Sequence, residues 1–290
     1  MDAERSALVT GATGFVGQHL VAQLRRRGWR VVALHRPASA VVGARDGSES
    51  ETVTLHDASE LPVILDRVNV DTVFHLAAHQ SRGHGVADID AFVEANIRLG
   101  MHLFSAAAER GIRVIDALSY FQFRDNAPAP HSLYSATKQA QAEFARFWRD
   151  RLGADIRDVV LFDNYGTGDG RDKLVPALVR AARTGEPLVI GPLEQAVDLV
   201  HVRDVAAGLI AAADSRAQGP FAIRAQELIT VGGIVECVQA VAGVPVPFTV
   251  DPDRRVSDGA QRAVDWDRPT GWSPKVTLPE GIAECVAAAG

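Results

Sequence analysis

Residues 8–20 read LVTGATGFVGQHL, and the fold turns on this stretch. Gly11, Gly14 and Gly17 stand at intervals of three between a strand-like apolar run and an amphipathic helical pattern. Glycines let a backbone turn approach a pyrophosphate, and the helix start behind them offers unpaired N–H donors and the positive end of a dipole. Glycines also make ordinary tight turns. Placement after the first strand and before a helix is what makes the triple a dinucleotide-binding signature. Working outward, strand-like runs at 6–10, 30–34, 52–55, 72–78, 113–118 and 157–162 alternate with helical patterns. That alternation predicts α/β architecture, a Rossmann-type doubly wound parallel sheet over residues 1–164. Beyond it, Gly and Pro punctuation in GTGDGRDKLVPALV and TGEPLVIGPLEQ breaks the rhythm. A smaller C-terminal, substrate-binding lobe is expected over 165–290, with segments around 200–225 returning to the first domain. The stretch 38–51, ASAVVGARDGSESE, reads as a mobile loop.

With 290 residues, 47% hydrophobic and 23% charged, the chain can bury the core of one large α/β domain with an attached lobe. A formal charge of −6 without any basic run argues against a nucleic-acid partner. The opening MDAERSALVTGATG enters a strand with no charged-then-apolar leader, and no apolar run reaches membrane-spanning length, so a cytoplasmic protein is expected. Cys237 and Cys285 sit in apolar helical patterns and read as inert core residues, with no metal site implied.

The second strand ends in His35 and Arg36. An NAD site places a carboxylate there for the ribose 2′-hydroxyl, whereas a 2′-phosphate is repelled by a carboxylate and held by an arginine. The cofactor expected is therefore NADP(H). Asp57, after the third strand, is placed to accept from the adenine amine or is an ordinary strand-end carboxylate.

Residues 131–140, HSLYSATKQA, set Tyr134 four places before Lys138 in a run of good helix formers. The chain has 30 basic side chains, of which only Lys138, Lys173 and Lys275 are lysine, so an ammonium at 138 is notable. Positions i and i+4 share a helix face. A phenol with a free pKa of about 10 is a poor proton donor or base at neutral pH, and a fixed ammonium beside it brings it toward the working range. Ser119 ends a strand at the carboxyl edge of the sheet, where a group that polarises a carbonyl belongs.

Together these residues resemble the extended short-chain dehydrogenase/reductase superfamily, the NAD-dependent epimerase/dehydratase family. Its pattern is a Gly-x-x-Gly-x-x-Gly turn, a Ser/Thr and a Tyr-x-x-x-Lys. The resemblance extends through DTVFHLAA and EANIRLGMHLFSAAAERG in the first half and HVRDVAAGLIAA and TGWSPKVTLPEGI in the second. Within it, LYSATKQAQAEF, LFDNYGTGDGRDKL and EQAVDLVHVRDV look most like nucleotide-diphospho-4-keto-6-deoxysugar 4-ketoreductases. The resemblance implies reduction of a dTDP- or CDP-linked 4-keto sugar by NADPH. Tyr134 would protonate the oxygen, Ser119 hydrogen-bond it, and Lys138 hold the ribose and tune the phenol. Asn96 would serve as relay or scaffold. Thr13, Phe15 and Val16 beside the glycines, and Leu76, Ala77 and Ala78 after the fourth strand, would line the cofactor. A nucleotide-diphosphosugar partner implies cations and polar groups for it, assigned to Asp163, Asn164, Arg171, Lys173, Gln195, Arg254 and Arg255, with His79 near the sugar. A homodimer paired through the helices around 91–109 and 134–151 is expected on the same basis.

The chain also departs from that pattern. Val197 stands where many relatives have the arginine of Gln-x-Arg-Asp, and Asp163 where many have Asn. Tyr120 and Phe121 occupy the places of the Asp-Glu pair that sugar 4,6-dehydratases need for elimination, which argues against dehydration. Nucleotide-sugar 4-epimerisation and a non-catalytic NADP sensor are the alternatives. The first is disfavoured by the missing acidic ribose ligand, the second by the complete Ser, Tyr and Lys set.

Overall fold

The structure is a computed structural model that describes residues 5–37, 51–81, 83–254 and 264–289. Arg255 and most of the stretch expected as a loop at 38–51 lie outside the described residues.

Seven parallel strands form one sheet. They are β1 (Ser6–Thr10), β2 (Arg30–His35), β3 (Glu51–Thr54), β4 (Thr72–His75), β5 (Arg113–Ser119) and the strands Ile156–Leu161 and Phe221–Ile223. From one edge the order is Phe221–Ile223, Ile156–Leu161, β5, β4, β1, β2, β3. The order in which strands are added reverses across the sheet at β1, between β4 and β2, a switch point of the kind beyond whose carboxyl strand ends ligands bind in open α/β sheets. The near-continuous apolar runs in the sequence are those of a parallel sheet covered on both faces. The run read as a strand over 72–78 ends earlier, at His75. The N–H groups of Leu76 and Ala77 donate to the Thr10 hydroxyl instead of to a ladder, each at 3.1 Å.

Leu8, Val73, Val114 and Ile156 are register partners in a row across β1, β4, β5 and the next strand. They share one core with residues of α2 (Leu61–Val68), α4 (Leu99–Arg110) and α5 (Leu133–Leu152). Each such fully buried side chain contributes about 1.5–3 kcal/mol. Helix α1 (Phe15–Arg26) packs on β1 and β2. The helix expected around 91–109 is built in three parts: α3 (Val86–Phe92), a π-helical turn over Val93–Arg98, and α4.

The chain divides into two compact units. The sheet belongs to the first, which comprises 1–161, 206–223 and 263–272. The second comprises 162–205, 224–262 and 273–290 and has its own core, in which α6 (Leu174–Thr184), α7 (Val231–Ala242) and α8 (Leu278–Ala289) pack through Leu178, Ile234, Val238 and Ile282. Cys285 is buried in that core and Cys237 packs against it, both as free thiols. Among the described residues no helix is long and apolar enough to cross a membrane.

Candidate active site

The glycine turn joins β1 to α1. Gly11 has a φ of 66°, and a Cβ there would lie 2.8 Å from the backbone of Leu76 and Ala77, so this turn and the end of β4 touch only because position 11 has no side chain. A Cβ on Gly17 would meet the Gly11 carbonyl oxygen at 2.1 Å. The Gly14 N–H donates to that same carbonyl at 2.9 Å. Helix α1 begins at Phe15 with no side-chain cap, and the Gln18 amide braces the Thr13 carbonyl at 2.8 Å. The result is a side-chain-free cradle at a helix start that has no side-chain cap, which suits a pyrophosphate. The turn from Gly11 to Gly17 and the backbone of Leu76 and Ala77 thus come together at the switch point between β1 and β4, with Ala78 next in the chain.

At the end of β2, the His35 ring pairs through Nε2 with the Thr54 hydroxyl at 3.3 Å and through Nδ1 with the Arg36 carbonyl at 3.2 Å. Arg36 is exposed. Asp57 receives a two-pronged ion pair from Arg98 at 2.8 and 2.9 Å, together with the Ser59 N–H at 2.9 Å. The Arg98 guanidinium and Ser59 hold its carboxyl well below the usual carboxylate range. Arg98, in the π-helical turn, was not legible as a partner of Asp57, because the two lie 41 residues apart.

Ser119 closes β5 and caps the short turn after it. Its N–H donates to the Gln122 side chain at 2.8 Å, and its hydroxyl oxygen accepts from the Phe121 N–H at 3.3 Å. With one lone pair engaged by backbone, the O–H is the part of the group left to donate. Helix α5 starts at Leu133 behind a serine cap, the Ser132 hydroxyl accepting from Ser135 N–H at 3.2 Å. That cap puts Tyr134 in the first turn, at the positive end of the helix dipole, where negative charge is favoured. Lys138 follows one turn later and is buried, its Nζ donating to the Gln141 side-chain oxygen at 3.1 Å. Gln141 in turn donates to the Asp116 carboxylate on β5. Burial pushes the Lys138 ammonium down from its ordinary value while Asp116 pulls it back up. Burial likewise pushes Asp116 upward, opposed by the charge of Lys138.

Asn96 is fully buried inside the π-helical turn, a form of helix that recurs at functional sites. Its oxygen accepts from the His79 N–H at 2.7 Å, and its amide donates to the His79 carbonyl at 3.1 Å and to the Thr137 hydroxyl at 2.9 Å. It therefore clamps the segment after β4 to the helix that carries Tyr134 and Lys138. Thr137, Gln141, Asp116 and His75 were missed in the sequence. The available signal was polar residues at matching places in strands otherwise apolar, and a glutamine three residues after the lysine.

Of the residues assigned to the nucleotide-sugar, Asp163, Asn164, Arg171, Lys173, Gln195 and Arg254 lie in the second unit, where they form two groups. Asp163 and Asn164 sit on a short strand paired with Leu199–His201. Arg171 donates to the Asn164 carbonyl and side-chain oxygens at 2.9 Å and is ion-paired with Asp169, and Lys173 lies 3.4 Å from Asp163. The other group gathers at Gly191, where a Cβ would come within 2.1 Å of the Arg254 carbonyl oxygen and 3.6 Å of the Gln195 side chain. Beside Val197, the buried Asp198 accepts from the Ala225 N–H at 2.7 Å and pairs with Arg224 at 3.3 Å. Among the described residues no group of three or more His, Cys, Asp or Glu is arranged to hold a metal ion.

The sequence pattern of the NAD dependent epimerase/dehydratase family matches residues 7–223. The chain is 26% identical over 281 residues to dTDP-4-dehydro-6-deoxy-D-allose reductase of Streptomyces bikiniensis, covering 88% of this chain and 86% of that one. It is 27% identical over 237 residues to UDP-glucuronate 4-epimerase 1 of Arabidopsis thaliana, covering 72% of this chain and 55% of that one. Among solved structures it is similar to MoeE5 in complex with UDP-glucuronic acid and NAD, with a TM-score of 0.81, 27% identity and 98% of each chain covered.

Proposed function

Because the chain belongs to the NAD dependent epimerase/dehydratase family, we propose that it is an NADPH-dependent reductase of the C4 keto group of a nucleotide-diphospho-4-keto-6-deoxysugar, dTDP- or CDP-linked. The observation that carries this reading is the first turn of α5. It sets Tyr134 at the dipole's positive end and the buried Lys138 one turn on, in the same unit as Ser119. The glycine cradle, with Thr13, Phe15 and Val16 on its α1 side and Leu76, Ala77 and Ala78 across from it, would hold the cofactor, with Arg36 at its 2′-phosphate and Lys138 at the nicotinamide ribose. A reduced nicotinamide bound there supplies a hydride to the keto carbon. Ser119 donates a hydrogen bond to the carbonyl oxygen, polarising it. Tyr134 delivers the proton to that oxygen as charge develops, and Lys138 stabilises the phenolate left behind. Asn96 keeps the helix and the β4 loop in register by its three hydrogen bonds. Asp163, Asn164, Arg171, Lys173, Gln195 and Arg254 are assigned to the nucleotide diphosphate, and His79 to the sugar.

Similarity to a dTDP-4-dehydro-6-deoxy-D-allose reductase over most of both chains supports reduction. Similarity to a UDP-glucuronate 4-epimerase makes 4-epimerisation the second reading. Incubation with NADPH and a panel of dTDP- and CDP-linked 4-keto-6-deoxysugars separates them. Reduction consumes the cofactor mole for mole and gives a product two hydrogens heavier. An isomer of unchanged mass, with no cofactor consumed, assigns epimerisation instead.

Cofactor choice has its own test. Arg36→Ala is expected to weaken NADPH binding about ten-fold or more, from about 1.5–3 kcal/mol for one charge-assisted contact, and to leave NADH binding unchanged. Equal loss for both cofactors, read by fluorescence titration, contradicts the 2′-phosphate assignment. A homodimer through the helices around 91–109 and 134–151 belongs to the same proposal. Exposed Val86, Ile89 and Val93, spaced by three and four residues at the start of the first of these segments, support it. Sedimentation at micromolar concentration reads the outcome.

A further inference from the structure

Two residues beyond the apolar row Leu8–Val73–Val114–Ile156, and on the same face of the sheet, the register aligns a second row: Thr10, His75, Asp116 and Asp158. All four are buried. Helix α5 lies over both rows with one stripe of side chains. Ala145 belongs to the core built on the apolar row, and one turn earlier Gln141 and Lys138 reach the polar one.

Each polar residue of the row has a distinct balance of charge. His75 pairs through Nδ1 with the Thr10 hydroxyl at 2.9 Å, and burial, helped by the charge of Lys138, pushes it down to about 3, so it is neutral. Asp158 has its own cation, Arg149, at 2.9 Å. Asp116 sits between them with a second carboxylate, Asp158, as its neighbour on the next strand. From α4 the row meets Gly100 and Phe104, which bring no charge. The Lys138 ammonium is thus the charge that most strongly opposes burial at Asp116, ahead of Arg149, and it is reached through one amide. Gln141 accepts from Lys138 at its oxygen and donates to Asp116 Oδ1 at its nitrogen, while Oδ2 is buried without a hydrogen-bond partner among the described residues. An amide oriented this way matches an ammonium at one end and a carboxylate at the other, and it links them in a site where an isolated charge of either sign is costly.

We propose that Asp116, acting through Gln141, is the positioning residue that keeps the Lys138 ammonium charged and fixed on the helix face it shares with Tyr134. The proposal rests on the reading of Tyr134 and Lys138 as the working pair of the site. It adds that the pair depends on a buried carboxylate one layer below it in the sheet. The sign of the consequence is fixed. Without the carboxylate, burial alone acts on Lys138, its proton leaves at lower pH, and the phenol loses its cation.

Asp116→Asn is nearly isosteric and keeps a partner for Gln141. The alkaline limb that loss of the Lys138 proton sets on its kcat profile is expected to move to lower pH by about one unit, so that kcat above the limb falls about ten-fold while KM for the sugar stays put. Gln141→Met removes the link but keeps the carboxylate and the volume, and is expected to move the limb in the same direction by less. It carries the test if Asp116→Asn does not fold. A spectrophotometric titration of the Tyr134 phenol, taken as the difference from Tyr134→Phe, needs no sugar substrate. There the Asp116→Asn phenol is expected to ionise at higher pH than in the unaltered protein. A shifted phenol titration with no turnover on any sugar upholds the link and removes the proposed substrate. Turnover with both the pH limb and the phenol titration unmoved in the two variants overturns the link, and a lowered melting temperature alone with both unmoved shows Asp116 to be a core hydrogen-bonding residue only.

Discussion

Replacing Tyr134 with Phe is expected to lower kcat by about 10²–10⁴-fold, the usual weight of a positioned proton donor, and to leave NADPH binding nearly intact. The phenyl ring keeps the packing of the first turn of α5. The Ser132 cap is untouched, and so is the hydrogen bond from the Thr137 hydroxyl to the carbonyl of residue 134. Only the phenolic oxygen goes. Steady-state kinetics beside a fluorescence titration of NADPH checks both halves, and unchanged turnover would remove Tyr134 from the chemistry.

Gly17→Ala carries the other large effect, on cofactor binding and stability together. Its Cβ would stand 2.1 Å from the Gly11 carbonyl oxygen and 2.9 Å from the Ala12 Cα, and both are backbone atoms of the turn itself. No rotamer relieves such a contact, so α1 must move away from β1 or the turn must open. The cost expected is about 3 kcal/mol, at the upper end for overpacking, and the displaced helix start loses its approach to a pyrophosphate. NADPH affinity should fall more than about ten-fold, since each lost N–H contact to an anion is worth about 1.5–3 kcal/mol. Gly14→Ala is the internal comparison. Its φ of −75° suits any residue, and its Cβ would lie 3.2 Å from the same carbonyl, so a smaller loss is expected there. Thermal unfolding and NADPH titration of the two variants test the order, and equal behaviour contradicts the cradle geometry.

The sheet was legible because its first six strands are strand-like runs, most of them separated by a helical period, and because a glycine turn after the first run marks where the sheet begins. The end of β4 was misread by three residues, since nothing in HLAA announces that Thr10 will take the Leu76 and Ala77 N–H groups. The π-helical turn was equally silent, because VEANIR has ordinary helical composition. For the candidate site, Tyr134 and Lys138 were visible as an i, i+4 pair and Ser119 as a strand end. Asp116 was not visible. Inside RVIDALS it is one carboxylate in an apolar strand, and its meaning depends on register with His75 and Asp158 and on Gln141 crossing from a helix 25 residues away. Sequence spacing reports neighbours along an element, whereas that row runs across four strands. Arg98 and Asp57 show the same limit.

The central claim is net reduction by a cofactor hydride with the proton supplied through Tyr134. NADPH carrying deuterium at its transferable position, incubated with a 4-keto-6-deoxysugar nucleotide that the protein turns over, tests it most directly. The account predicts a product with deuterium at C4 and one equivalent of NADP formed. An unlabelled isomer of the substrate, with the labelled cofactor recovered intact, would contradict it.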